Sequence, residues 1–181
     1  MRAIPMIFRQ ERTIMSHFSL RAGLLAGLLA LAPALVVAKS YTIPDPNPVA
    51  VVTIPDDWET TVIPKGIEVE SEDEEIYIAI EVIEVAKVEK AIEEAITWLK
   101  SKDVEVDVAT QKQGEVTING IPGFQVRWTG KDSDGPTNVS LTLLVTSESK
   151  GLMVTYWASP EGEKDNTKAL QGIIESLKPV K

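Results

Sequence analysis

Carboxylates are the most abundant side chains in this sequence with acid–base or metal-binding chemistry. The densest run is Glu70, Ser71, Glu72, Asp73, Glu74 and Glu75, and its oxygens are the donor type that Ca²⁺ and Mn²⁺ prefer. The run holds no glycine, whereas calcium loops draw affinity from ligands at fixed spacing around a sharp glycine turn. A solvated turn whose charges keep a strand edge from pairing accounts for it better. The stretch "DSDG" (Asp132 to Gly135) opens like a calcium loop, but Pro136 follows the glycine and Leu143 stands where the bidentate Glu belongs. A hairpin turn is expected there. The adjacent pair Asp56 and Asp57 reads as a turn rather than an acid/base dyad.

Other chemistries are closed by composition. The chain has one histidine, His17, and no cysteine. Past residue 17, Ser-His-Asp and Cys-His nucleophilic catalysis are excluded, as are the usual zinc sites and any disulfide. The reading is non-enzymatic, with no cofactor implied.

Arg127 is the only arginine beyond the N-terminal region. A lone guanidinium on an acidic protein suits a carboxylate or phosphate ligand. With so many acids available, a cross-strand ion pair is the plainer expectation. Of the four tryptophans, Trp128 and Trp157 fall in alternating strands and read as packing. Trp98 falls beside a helical stripe and Trp58 follows a turn, so these two are expected to be part-exposed. Trp58, Trp98 and Arg127 are the candidate contact residues for a ligand or partner.

The elements that must position them follow from periodicity. Asn119-Gly120 is a hairpin signal, because a tight turn with positive φ suits both residues. Phe124, Val126 and Trp128 leave it at period two, with Gln125, Arg127 and Thr129 on the other face. Strands are expected at about 51–54, 66–71, 76–82, 104–109, 115–118, 124–129, 139–145 and 152–157. From Val85 the period becomes helical: Val85, Val88, Ile92, Ala95, Ile96 and Leu99 form one stripe, predicting a helix to about Lys102. A last helix is predicted over about 164–177. Short polar connections join antiparallel neighbours. Apolar residues on both faces of the central strands predict a helix on each side. The expected fold is α+β: an antiparallel sheet of about six to seven strands in a three-layer α/β/α sandwich.

Residues 1–38 read as a signal peptide cleaved after Ala38: arginines precede an apolar run from Ala22 to Val37, and small residues follow. Met15 is an alternative start to Met1. No cysteine follows the apolar run, so no lipid anchor is expected. The expected leader carries four arginines and one glutamate, which leaves 14 basic and 26 acidic residues and a net charge of −12, against −9 for the whole chain. Such a surface repels nucleic acid and anionic lipid. Residues 39–49 are proline-rich and read as an extended arm, and 50–181 as a single domain.

The phrases "VTIPDDW" (Val52 to Trp58), "INGIPGFQV" (Ile118 to Val126) and "IIESLKP" (Ile173 to Pro179) come in the order of the PsbP-like/Mog-like superfamily. The chain resembles in particular its small exported DcrB-type bacterial proteins. The resemblance implies an antiparallel sheet flanked by helices and no enzyme activity; relatives include photosystem accessory subunits and small-GTPase-binding proteins. Two functions stand as expectations. The first is an exported, non-enzymatic accessory or interaction module of the bacterial envelope with a protein partner. The alternative is a periplasmic small-ligand or divalent-cation-binding protein. It would use a pocket between helix and sheet, with charge from Arg127 or the Glu70–Glu75 run.

Overall fold

Alternating β-branched residues build the centre of the molecule. In the computed structural model, which describes residues 37–44 and 46–180, Ile76, Tyr77, Ile78, Ala79 and Ile80 are all buried. Successive residues of a strand point to opposite faces, so this strand is covered on both sides. It is β5 (Ile76–Glu84). Two sheets and three α-helices make up the described chain. A three-stranded sheet contains β1 (Ala38–Ile43), β2 (Ala50–Pro55) and β11 (Lys178–Pro179), in the order β1-β2-β11.

The main sheet has eight strands. Besides β5 they are β3 (Glu59–Ile63), β4 (Gly66–Glu70), β6 (Glu105–Val106), β7 (Lys112–Ile118), β8 (Ile121–Lys131), β9 (Pro136–Val145) and β10 (Lys150–Ala158). Their order is β3-β4-β5-β10-β9-β8-β6, with β7 also paired to β8. All pairings are antiparallel. β6 and β7 share one edge of β8: residues 105–106 pair with 130–131, and residues 112–118 with 121–127.

Helix α1 (Val88–Ser101) packs on the Tyr77 face, where Trp98 lies 4.9 Å from the Tyr77 ring. The opposite face, bearing Ile78 and Ile80, meets Val52 and Ile54 of β2 and Ile173 of α3 (Thr167–Ser176) in the larger core. Fully burying an aliphatic side chain of this size contributes about 1.5–3 kcal/mol, so Ile54, Ile80, Leu144 and Leu152, each 0–2 % exposed, are among the main drivers of this packing. α2 (Pro160–Asp165) precedes α3; Ser159 caps it by accepting the Gly162 N–H at 2.8 Å, with proline in the first turn.

The α+β class and the antiparallel meander are those the sequence predicts; the main sheet has eight strands rather than six to seven, a second three-stranded sheet is present, and several boundaries differ. The first part of the expected arm of residues 39–49, up to Ile43, belongs to β1, because Ile43 and Tyr41 have apolar partners to cover and a free edge of β2 to pair with. β3 was not expected, since "ETTVI" is too polar to read as a strand; it forms because β4 offers it a full antiparallel ladder. The last helix is two helices meeting at Asn166. The expected leader lies almost wholly outside the described residues. No helix among the described residues is long and apolar enough to cross a membrane.

Candidate functional site

Strand register places a polar patch on the sheet face that α3 covers. Arg127 of β8 opposes Ser140 of β9, Ser140 opposes Tyr156 of β10, and Tyr156 opposes Ile78 of β5. The next row on the same face runs Gln125, Thr142, Val154 and Ile80. Ser140 and Thr142 are buried, at 7 % and 3 % exposure. Buried hydroxyls need partners, and Thr142 has one: Gln125 Nε2 donates to its Oγ1 at 2.9 Å.

Glu163 of α2 reaches down to this patch. The Tyr156 hydroxyl donates to Glu163 Oε1 at 2.9 Å, and Asn138 Nδ2 donates to Oε2 at 2.6 Å. Burial, and then the neighbouring Glu163 charge, push the Tyr156 phenol well above its ordinary range, so it stays protonated. Both carboxylate oxygens of Glu163 are therefore engaged.

A cavity of about 330 Å³ opens between α3 and the sheet. Ile78, Ile80 and Val154 form its floor and Leu170, Ile173 and Leu177 its roof, while Gln125, Arg127, Ser140 and Glu163 stand on its polar side. A second hollow of about 690 Å³ shares Arg127, Ser140, Tyr156 and Glu163 with it and extends to Lys112. Lys112 lies directly opposite Arg127 across β7 and β8. The ion pairs among the described residues are Lys65–Glu94, Lys87–Glu84, Lys90–Glu94 and Lys131–Glu105. The cross-strand ion pair expected of Arg127 is not among them. Its cross-strand neighbour is a like charge.

The other candidate residues are dispersed. Trp58 is 6 % exposed and belongs to the larger core, so it is not the part-exposed contact residue expected from its place after a turn. Its N–H closes the turn on Pro55 O at 3.2 Å, and its indole joins that core. Trp98 is half-buried: it tilts against Trp157 at 5.1 Å and Tyr77 at 4.9 Å, and Lys102 Nζ sits 5.5 Å from its ring centre. Trp157 stacks on Tyr77 at 4.1 Å. Trp58, Trp98 and Arg127 do not share a site.

The acidic run is a structured turn. Ser71 accepts the Ile76 N–H and donates to Asp73, which in turn accepts from Asn166 Nδ2 at 2.8 Å. Burial works against ionisation of Asp73, but the hydrogen bonds from Ser71 and Asn166 outweigh it and lower its pKa. Glu72, Glu74 and Glu75 belong to the same turn, while Glu70 ends β4, paired with Glu59 of β3 and Tyr77 of β5. Among the described residues no three His, Cys, Asp or Glu side chains converge as a cation site. "DSDG" is the turn joining β8 to β9, with Asp132 accepting the Asp134 and Gly135 N–H groups.

One surface was not anticipated. Asp107 caps a 3₁₀ turn over Val108–Thr110 by accepting the Ala109 N–H at 3.0 Å, and Val108 is left 76 % exposed. A hollow of about 740 Å³ runs from there to α1, lined by Ile96, Val104, Val106, Val108 and Trp128 and flanked by Lys100, Asp103 and the Glu105 that pairs with Lys131. Periodicity read residues 104–109 as one strand and hid this turn. Asp107, a capping residue type two positions before the N–H it binds, was the available signal.

No protein-family model and no curated protein sequence matches the chain. Solved structures do. The cyanobacterial PsbP protein CyanoP from Synechocystis superposes with a TM-score of 0.54 at 7 % identity, over 82 % of this chain and 96 % of that one. LpqN of Mycobacterium tuberculosis, described as involved in cell envelope biogenesis, gives 0.51 at 13 % identity, over 80 % and 92 %. A Bacteroides thetaiotaomicron structure gives 0.52 at 12 % identity; this chain matches 48 % of its length. The fold is PsbP-like, as the order of the three sequence phrases implies.

Proposed function

We propose that this protein is an exported, non-enzymatic accessory or interaction module of the bacterial envelope, built as a helix–sheet–helix sandwich whose α1 side receives a protein partner. The observation that carries the reading is the outward Val108 at the end of an apolar hollow on a strongly acidic chain. Exposed apolar surface of this kind, rimmed by charge, is typical of interaction sites. The partner it fits is a protein segment with an apolar anchor for the hollow and a basic group beside Asp103. The likeness to CyanoP and LpqN supports the accessory role and the envelope setting, and the apolar run before Ala38 supports export. In affinity capture from envelope extracts, repeated retention of one protein by the wild type, and its loss with Val108→Asp at unchanged melting temperature, is the expected result. Equal retention by both would refute this contact face.

A second reading, a small-ligand-binding protein, is favoured by Arg127 and Lys112 facing each other at the entrance to an apolar cavity.

A further inference from the structure

We propose that the cavity beneath α3 binds an anionic amphiphile, with its carboxylate head between Lys112 and Arg127 and a medium-length alkyl tail against Ile78, Ile80 and Leu170. This rests on the small-ligand reading and supplies the ligand's chemistry.

The charge arrangement comes first. Like charges directly opposite on neighbouring strands destabilise a sheet, yet Lys112 and Arg127 occupy such a pair in a chain with a large excess of acids. Among the described residues neither cation has an acid within ion-pair distance. Glu163, the acid that lines the same hollow, has its oxygens engaged by Tyr156 and Asn138. An anion placed between the two cations turns a repulsive pair into two attractive ones. The guanidinium fork matches a carboxylate bidentately, while the lysine adds a point charge.

The walls then set the rest of the ligand. Arg127 lines both hollows, so a head bound there stands at the entrance to the 330 Å³ cavity. That volume lies within the range of small-molecule pockets. Its floor and roof are aliphatic, and burying alkyl carbon there is favourable at about 0.8 kcal/mol per methylene. The chain's overall excess of acids disfavours a polyanion, whereas a small monoanion meets chiefly the local cation pair.

Titration calorimetry of the purified protein at low salt tests the assignment with four probes: decanoate, decanol, acetate and decyltrimethylammonium. Decanoate should bind one-to-one, and acetate should not bind at the same concentrations. Arg127→Gln and Lys112→Gln should each weaken decanoate by about tenfold, the scale of one charge-assisted hydrogen bond, and leave decanol unchanged. Both positions are exposed, so both variants should keep the wild-type melting temperature. Equal affinity for decanol and decanoate, or decanoate binding that ignores Arg127→Gln, would overturn the anionic assignment and leave the small-ligand reading standing. Preferred binding of the decyl cation would do the same. Failure of all four probes to bind would overturn both.

Discussion

Asn119 donates its side-chain N–H to the backbone oxygen of Leu177 at 2.7 Å, and also reaches Ile174 O at 2.7 Å. The tip of the β7–β8 hairpin thereby closes the C-terminal end of α3, which would otherwise leave carbonyls unpaired. One residue thus serves two elements: its φ of 50° makes the turn, and its amide pins the roof of the cavity to the strand that carries Arg127. Asn119→Gly keeps the turn and removes the cap, at an expected cost of about 1 kcal/mol. Asn119→Ala should cost about 1 kcal/mol more, because alanine resists positive φ. Urea denaturation of both variants checks the order; equal stability of Asn119→Gly and wild type would mean the cap contributes nothing.

Gly120 has φ 82° and open space around its Cα. Gly120→Val should therefore destabilise through backbone strain alone, by about 1–3 kcal/mol. Arg127→Ala should behave in the opposite way. It breaks no ion pair among the described residues and relieves the repulsion from Lys112, so stability should hold within about 0.5 kcal/mol and rise rather than fall. Denaturation midpoints of the two variants distinguish a turn residue from a site residue.

The sequence carried the sheet better than the surfaces. Alternation at Ile76–Ile80 and the Asn119-Gly120 turn report local geometry, so strands β5, β8, β9 and β10 and their antiparallel order were legible. Arg127 was legible as an outlier. What it faces was not, because a register between β7 and β8 places Lys112 opposite, and "KQGE" has no strand signal of its own. Trp58 was misread for a similar reason: burial of a residue after a turn depends on which distant strands leave room. The exposure of Val108 rests on a single capping carboxylate that interrupts an apolar run, a signal weaker than the periodicity it contradicts.

Gly66 of β4 pairs with Glu81 of β5. A Cβ there would overlap the carbonyl oxygen of Ile80, a backbone atom with no freedom to move aside. Gly66→Ala should cost about 3 kcal/mol, at the upper end of overpacking effects. A melting temperature unchanged by this one methyl group would contradict the observed strand spacing.

Glu81 sits half-buried beneath α1. Burial raises its pKa above the ordinary value; Glu68 and Glu94 add to the rise, and Lys65 opposes it. The folded state thus holds this proton more tightly than the unfolded chain. Its stabilising contribution is complete below the unfolded pKa and is lost as pH rises through the folded one. Glu81→Gln should melt higher than wild type at pH 7, with the gap closing as pH falls to about 4, near the unperturbed glutamate value. A gap that widens toward low pH would mean that the ionised carboxylate is the stabilising form.

Site-specific photo-cross-linking in intact cells tests most directly whether the α1-side hollow receives a partner. A photoreactive residue placed at Val108 should give a discrete protein adduct that recurs between preparations, and the same residue at Glu148, in the β9–β10 turn, should not. Adding Ile96→Asp to the Val108 probe should abolish the adduct while the protein stays folded. Absence of any adduct at Val108, or the same adduct from both probes, would contradict the interaction-module function.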